Sequence, residues 1–114
     1  MNCAFIVSWT MPVHGREKLA LDLGVEVNEY WGKLAAEGKC SEPEMFFYAD
    51  RGMWMVKGDL QTLRQLCDAE EVQRQFDKGQ FFFADYDYEL VRTGDAAVEH
   101  LLRCAGVGQE LGFV

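Results

Sequence analysis

Two residues near the start of the chain carry side chains suited to acid–base chemistry. An imidazole is the side chain best suited to proton transfer near neutral pH, so His14 could accept a proton from a substrate. Arg16 could hold a substrate carboxylate through paired hydrogen bonds. His14 is therefore a candidate catalytic base and Arg16 a candidate ligand-binding residue. A single histidine with no visible partner is weak support for catalysis, so ordinary solvated loop residues remain the alternative for both.

Aromatic residues are the second group that could form a site. Tyr30 and Trp31 fall in a helical pattern, and Tyr48 and Trp54 fall in strand patterns, as does Trp9. These rings could line a flat cavity suited to a polycyclic phenol or to haem. Small proteins also fill their cores with aromatic rings, so spacing alone leaves both interpretations open. Tyr30, Trp31, Tyr48 and Trp54 are our candidate ligand-binding residues.

Three carboxylates alternate along one predicted strand near the end of the chain. Asp85, Asp87 and Glu89 occupy positions i, i+2 and i+4, so their side chains should project from one side. Oxygen ligands of this type could hold Ca²⁺ or Mg²⁺. Neighbours on one side of a strand are about 7 Å apart, which is too far to converge on an ion without a further ligand. The pattern favours a charged, solvated sheet edge, and we expect no metal site.

The cysteine content indicates a reducing environment. No Cys-x-x-Cys pair is present, which disfavours zinc and dithiol sites, and the four cysteines are Cys3, Cys40, Cys67 and Cys104. The apolar run at residues 3–9 has neither the basic flank nor the small-residue cleavage site of a signal peptide. We therefore expect a cytoplasmic protein with reduced thiols, and the pattern gives no sign of a bound cofactor.

Length and charge narrow the class of protein further. A chain of 114 residues, 49% of them hydrophobic, predicts one domain, residues 1–114, with a core of its own. The net charge of −8 repels phosphate backbones and anionic lipid. Nucleic acid and membrane surfaces are therefore not expected as partners.

The first elements that must position these residues follow from the hydrophobic pattern. Residues 3–11 alternate as a strand. A long amphipathic helix then runs to Gly38, with its apolar face at Leu19, Leu23, Val27, Tyr30 and Leu34. Residues 44–49 and 53–57 are typical of two strands joined by a turn at Asp50-Arg51-Gly52.

The second half of the chain repeats the alternation of helix and strand. A short helix is predicted at residues 60–67 after the N-cap Asp59, and another runs from Asp68 to about residue 78. A last strand spans residues 81–91, and a terminal helix runs from Asp95 to about Cys104. This order predicts an α+β protein of ferredoxin-like βαββαβ topology with an extra C-terminal helix.

Both crossover helices of that topology cover one face of the sheet, so the other face needs a cover. The central strands carry apolar residues on both sides. With a three-residue hairpin loop, one side would hold Phe46, Tyr48, Trp54 and Val56, and the other Met45, Phe47, Met53 and Met55. A homodimer with sheet packed on sheet would be the simplest cover.

A group of helix and turn motifs resembles a family of small uncharacterised bacterial proteins. The motifs are Gly15-Arg16-Glu17, Ala20-Leu21, Glu29-Tyr30-Trp31-Gly32-Lys33-Leu34, Glu37-Gly38-Lys39, Glu44, Gly52, Val56-Lys57-Gly58-Asp59, Leu63 and Glu70-Glu71. The family is similar to the dimeric α/β-barrel group of ferredoxin-like folds, and the resemblance covers roughly residues 14–90. It implies a homodimer. The wider group includes cofactor-free monooxygenases, haem-degrading enzymes, isomerases and ligand-binding modules.

The resemblance carries no catalytic residue set onto this chain. It also departs from the family at Ala49-Asp50-Arg51-Gly52, where a longer Gly-Gly loop is expected. Two hypotheses of different classes follow. In the first, the protein binds a small organic ligand, such as an aromatic molecule, between sheet and helices. In the second, it is a cofactor-independent monooxygenase or isomerase acting on an aromatic substrate with His14 as base.

Overall fold

The computed structural model describes residues 1–113, in which an antiparallel four-stranded sheet carries helices on one face. The elements are β1 Cys3–Trp9, β2 Met11–Pro12, α1 Glu17–Ala36, β3 Glu44–Phe47, β4 Gly52–Gly58, α2 Leu60–Cys67, α3 Glu70–Phe82, β5 Phe83–Ala84, β6 Asp87–Arg92 and α4 Gly94–Glu110. The main sheet has the order β3-β4-β1-β6, and β2 pairs with β5 separately. The predicted ferredoxin-like α+β class with a C-terminal helix is confirmed.

Side chains alternate across the main sheet, and one face bears the core. Phe5 and Val7 in β1 lie opposite Val56 and Trp54 in β4, and all four side chains are buried. Helices α1, α2 and α3 cover this face with buried residues of the same cluster, namely Trp31, Leu34, Leu63, Val72 and Phe76. The alternation seen in the sequence therefore separates a helix-covered face from an open face.

Helix α1 begins and ends near the predicted residues, but its buried face is rotated. The buried residues are Ala20, Leu23, Trp31 and Leu34. Leu19, predicted on the apolar face, is 48% exposed, and its neighbour Ala20 is buried instead. Gly38 ends the helix with φ +77°. The N–H groups of Gly38 and Lys39 donate to the carbonyls of Ala35 and Leu34, which is the Schellman arrangement.

The hairpin between β3 and β4 has a loop of four residues, 48–51, instead of the predicted three. Phe47 pairs directly with Gly52. Inside the loop the N–H of Tyr48 donates to the carbonyl of Arg51 at 2.7 Å. This closing hydrogen bond sets the register of β3 against β4.

The longer loop moves every β3 side chain to the opposite face of the sheet from the one predicted, because side chains in a strand alternate with a period of two. Met45 lies opposite Trp54, so Met45 and Phe47 share the helix-covered face. Phe46 lies opposite Met53 on the open face. The predicted assignment of the β3 residues to faces is therefore wrong.

Two predicted strands are interrupted. β1 ends at Trp9, and the next residues pair with β5 instead of extending the main sheet. The predicted strand at residues 81–91 starts at Asp87, because Phe82 still belongs to α3 and Asp85 adopts φ +53°. The hydroxyl of Thr10 donates to Oδ2 of Asp85 at 2.9 Å, which separates this carboxylate from the two in β6.

The predicted helix boundaries hold in part. Helix α2 has the predicted bounds, although Asp59 makes no side-chain capping bond. Helix α3 starts after Ala69 instead of Asp68 and extends beyond residue 78 to Phe82. Helix α4 continues past Cys104 through two glycines to Glu110.

Helix α4 stands apart from the rest of the structure. None of its residues is buried. The radius of gyration of 16.6 Å exceeds the value of roughly 13 Å for a compact domain of similar length. Apolar side chains on α4 face solvent, with Val98, Leu101 and Leu102 between 54% and 67% exposed. Within residues 1–113, no helix is long and apolar enough to span a membrane.

Candidate functional site

A cavity of about 460 Å³ lies between α1 and the helix-covered face of the sheet. Its walls come from β1, α1, β3, β4 and α3, and from the segment around β5. The lining is mostly apolar and aromatic. Apart from the indoles, the polar lining residues are Glu17, Asn28, Gln75 and Tyr86. This composition is typical of a site for a small organic ligand.

We define the floor of the cavity as four buried aromatic residues of its lining and the buried amide beside them, namely Phe5, Trp31, Trp54, Phe76 and Gln75. The aromatic rings of the floor pack on one another. The ring of Phe5 lies 5.3 Å from that of Trp31 and 5.8 Å from that of Trp54, and the two indoles are 5.7 Å apart. Because each ring supports the others, the floor is a rigid surface.

Each floor tryptophan donates a hydrogen bond to an amide side chain that also lines the cavity. Nε1 of Trp54 donates to Oδ1 of Asn28 at 2.8 Å, and Nε1 of Trp31 donates to Oε1 of Gln75 at 3.3 Å. Asn28 is exposed on α1, whereas Gln75 is buried on α3. In both pairs the amide oxygen is occupied by an indole N–H, which fixes the amide orientation.

We define the rim of the cavity as four of its exposed lining residues, namely Glu17, Leu21, Val25 and Phe47. Leu21 and Phe47 are 68% and 73% exposed. The rim therefore consists of one carboxylate and three apolar side chains that are exposed to solvent. Exposed apolar surface around a concave site favours entry of an apolar ligand.

Tyr86 forms a side wall between the floor and the rim. Its ring lies against the backbone of α3 at Gly79, where an added Cβ would overlap the ring. Burial, and to a lesser extent the neighbouring Tyr88, raises the pKa of Tyr86. The phenol therefore stays protonated at neutral pH and can donate a hydrogen bond.

The structure brings two of the predicted site residues together and leaves four outside the cavity lining. Trp31 and Trp54 meet on the floor. Tyr30 packs at the edge of the core, 6.0 Å from Trp31 between ring centres. Tyr48 lies in the hairpin loop, where the guanidinium of Arg51 stacks on its ring at 4.4 Å.

His14 and Arg16 lie in the exposed turn before α1. Nδ1 of His14 is 3.8 Å from Oε1 of the rim residue Glu17. The imidazole therefore contacts a lining residue without lining the cavity itself. The pKa of the Glu17 carboxyl is lowered, chiefly by a hydrogen bond from the backbone N–H of Gly15. The backbone N–H of Glu17 itself adds to this effect. The guanidinium of Arg16 donates to the carbonyl of Phe81 at 2.6 Å, which ties this turn to the end of α3.

Sequence reasoning missed the two amides that accept from the floor tryptophans. A signal for both exists, since each is a polar residue beside an apolar helical stripe. Asn28 follows Val27 and lies three residues before Trp31, and Gln75 lies between Val72 and Phe76. Neither is titratable, so a search for acid–base groups passes over them.

Comparison with known proteins supports the fold. No protein-family model and no curated protein matches the sequence. A solved structure from Bacteroides thetaiotaomicron, a conserved protein of unknown function suggested to be an oxidoreductase, matches with TM-score 0.62 and 12% identity over 81% of this chain and 98% of that one. A proposed antibiotic biosynthesis monooxygenase from Deinococcus radiodurans matches with TM-score 0.62 and 11% identity over 84% and 95%.

A third solved structure, from Shewanella oneidensis, matches with TM-score 0.57 and 14% identity over 81% of this chain and 91% of that one. All three matches span nearly the whole length of the other chain. At such low identity they show a shared ferredoxin-like fold and nothing about the residues of the cavity. Function must therefore be argued from the site itself.

Proposed function

We propose that the protein binds a small aromatic molecule in the cavity between α1 and the sheet. The observation that carries this proposal is the cavity itself, about 460 Å³ with a floor of buried aromatic rings. Ligand sites of known proteins range from about 300 to 1,000 Å³ and combine apolar walls with few polar groups. A ligand of two or three fused rings fits this description.

Native mass spectrometry of the protein purified from cells tests the proposal. We expect a co-purifying mass that is lost when the floor is filled or reshaped. Ala20→Phe would place a ring into the cavity, because Ala20 is a buried lining residue. Ala36→Phe, near the end of the same helix and away from the cavity lining, is the control. Retention of the ligand by a folded Ala20→Phe variant would contradict the proposed location.

A second candidate function is a cofactor-independent monooxygenase or isomerase acting on an aromatic substrate. The Trp54–Asn28 pair favours it, because N–H donors beside an apolar floor could stabilise an enolate or phenolate formed by removal of a proton. His14 is the proposed base, next to the rim at Glu17. The suggested oxidoreductase and monooxygenase roles of two structural neighbours are consistent with this candidate.

The variant His14→Gln separates binding from catalysis. If His14 is the base, turnover of an aromatic substrate should fall by about 10²–10⁴-fold while the fold and ligand affinity are retained. His100→Gln is the matched control, since His100 is the other histidine and also exposed. Equal turnover by both variants would exclude His14 as the base and leave the binding function in place.

We also propose that two copies pack through the open faces of their sheets. The centre of this face is apolar, with Ile6 opposite Met55 and Met53 opposite Phe46. Charged residues surround it, namely Glu44, Lys57, Asp87 and Glu89. An apolar centre with a polar border is typical of protein interfaces. The exposed apolar side of α4 would extend the surface that the second copy covers.

The corrected hairpin register supplies a matched pair of variants for the interface. Met55→Asp places a charge at the centre of the open face, and Phe47→Asp places one on the opposite face at the rim. We expect Met55→Asp to give a monomer of 13.0 kDa in native mass spectrometry and Phe47→Asp to keep the dimer. A folded dimer of Met55→Asp would contradict sheet-to-sheet packing.

We further propose that the protein acts in the cytoplasm. The four cysteines are free, and Cys3 and Cys40 are buried in the core. The pKa of Cys67 is raised to about 12, mainly by burial and to a lesser extent by the negative charge of the nearby Asp68. Shielded thiols such as those of Cys3, Cys40 and Cys67 are inert parts of a core that needs no disulfide, which suits a reducing compartment.

A further inference from the structure

We propose that Gln75, together with Asn28, selects ligands that carry a hydrogen-bond acceptor oxygen on the aromatic body. A ketone, enolate or phenolate oxygen would meet this requirement, and an amino group would not. The inference rests on the proposed aromatic-binding function. It assigns the polar part of the ligand and the residues that recognise it.

Gln75 carries the argument because its amide is oriented and incompletely paired. The side chain is 2% exposed and borders the cavity. An indole N–H can only donate, so Oε1 of Gln75 must face Trp31, and the two atoms lie 3.3 Å apart. The amide nitrogen therefore faces away from Trp31, and because Gln75 borders the cavity we infer that Nε2 reaches a ligand seated on the floor. In the part of the chain that the structure describes, Nε2 is buried without a hydrogen-bond partner.

An unpaired buried donor is unfavourable, and native proteins rarely keep one without a reason. A ligand oxygen that accepts from Nε2 would remove this penalty on binding. A ligand that lacks an acceptor at that point would leave the donor unpaired. Gln75 therefore discriminates between ligands of the same shape, since sites built to pair a polar group reject analogues that lack the partner.

Asn28 repeats the arrangement closer to solvent. Its Oδ1 accepts from Nε1 of Trp54 at 2.8 Å, so its NH2 group is left to donate elsewhere. Asn28 is exposed, which makes its donor easier to satisfy with water than that of Gln75. We therefore expect Asn28 to contribute less to discrimination than Gln75.

The remaining lining side chains agree with a donor-rich inner cavity. Because burial raises its pKa, Tyr86 is a protonated phenol that can donate a hydrogen bond. The carboxylate of Glu17, which could accept from an amino group, lies on the exposed rim. On this inference the inner cavity offers flat apolar rings and N–H or O–H donors, complementary to a flat apolar body with an acceptor oxygen.

Two small probes of nearly the same shape test the inference. 1-Tetralone has a ketone oxygen, and tetralin lacks it. Binding is followed by quenching of tryptophan fluorescence and by calorimetry with the full-length protein. We expect the wild-type protein to bind 1-tetralone roughly tenfold more tightly than tetralin, the effect of one ordinary hydrogen bond.

Gln75→Met should remove this preference by weakening 1-tetralone about tenfold while tetralin stays within about twofold of wild type. Asn28→Asp keeps an acceptor for Trp54 but loses the NH2 donor, so the preference should shrink less. Gln80→Met, an exposed position on the same helix, is the control and should keep the preference. If Gln75→Met fails to fold, Gln75→Leu serves instead, since it also lacks the donor.

The outcomes separate the inference from the function on which it rests. Equal affinity of the two probes for wild-type protein, or an unchanged preference in a folded Gln75 variant, would overturn the role of Gln75 and leave aromatic binding intact. Failure of both probes to bind would contradict aromatic binding itself, and the inference with it. Tighter binding of tetralin than of 1-tetralone would also overturn it.

Discussion

The floor and the rim of the cavity differ in almost every physical property. The floor consists of buried rings held by mutual packing and by two hydrogen bonds between indoles and amides. The rim combines exposed apolar side chains with Glu17, and the ionisable residues His14 and Arg16 lie just outside it. Acid–base groups therefore surround the entrance, whereas the interior contains neutral donors.

This difference assigns separate tasks to the two regions. A rigid floor can discriminate between ligands by shape and by the position of an acceptor, because its side chains have little freedom to adapt. The rim can exchange protons and admit a ligand, because its groups are exposed to water. If the protein is an enzyme, proton transfer belongs to the rim and charge stabilisation to the floor.

The largest expected effect comes from removing a floor ring. Trp54→Ala should lower the free energy of unfolding by about 3–5 kcal/mol, because it leaves a cavity beside Phe5 and Trp31. Tyr48→Ala, in the exposed loop, should lower it by no more than about 1 kcal/mol, the value of its contact with Arg51. Urea unfolding at neutral pH measures both. Similar losses for the two variants would abolish the distinction between a rigid floor and its surroundings.

A smaller effect is expected at alkaline pH through the side wall. The unfolded-state phenol of Tyr86 ionises near pH 10.0, whereas burial raises the pKa of the folded-state phenol above that value. The Tyr86 phenol therefore stays protonated to a higher pH in the folded state than in the unfolded state. Its contribution to the free energy of unfolding is complete below pH 10 and is lost as the pH rises beyond that value. By linkage the loss should be about 1 kcal/mol at pH 11 for this one group.

Urea unfolding at several pH values between 9 and 11 checks the pH dependence. Tyr86→Phe should flatten the curve, because the ionisable group is absent in both states. Burial also raises the pKa values of Cys67, Cys40 and Tyr30, so a residual slope should remain. An identical slope in Tyr86→Phe and wild type would show that Tyr86 is not shielded from water.

The smallest effect is expected at the turn beside the rim. Arg16→Gln removes the guanidinium that donates to the carbonyl of Phe81 at 2.6 Å. Because the bond is exposed, the free energy of unfolding should fall by only about 0.5 kcal/mol. Affinity for the neutral probe 1-tetralone should be unchanged. A marked loss of affinity would place Arg16 in the binding site, as the sequence predicts, and would extend the site beyond the rim.

Much of the fold could be predicted because the relevant signals are local. The alternation of β1 and the bounds of α2 are confirmed, and Gly38 ends α1 through its left-handed conformation. The hairpin register could not be predicted, since it depends on a single bond between Tyr48 and Arg51 that adds one residue to the loop. That one residue decides which β3 side chains reach the cavity.

The candidate site was predictable only in part for the same reason. Trp31 and Trp54 could be selected as aromatic residues at regular spacing. Their amide partners lie 44 and 26 positions away in the chain, so no local pattern connects them. Titratable residues such as His14 are easily selected from a sequence as candidates for catalysis. Their distance from a cavity depends on the folded structure and cannot be read from the sequence.

The sequence by itself determined the order of the principal helices and strands, the alternation of side chains along β1 and β4, and the acidic charge that disfavours nucleic acid. These follow from periodicity and composition, which act over a few residues at a time. Only the tertiary structure decided that Gln75 faces Trp31 and that Asn28 faces Trp54. Those contacts need α1, α3 and β4 to be packed at fixed distances, and packing is a property of the whole chain.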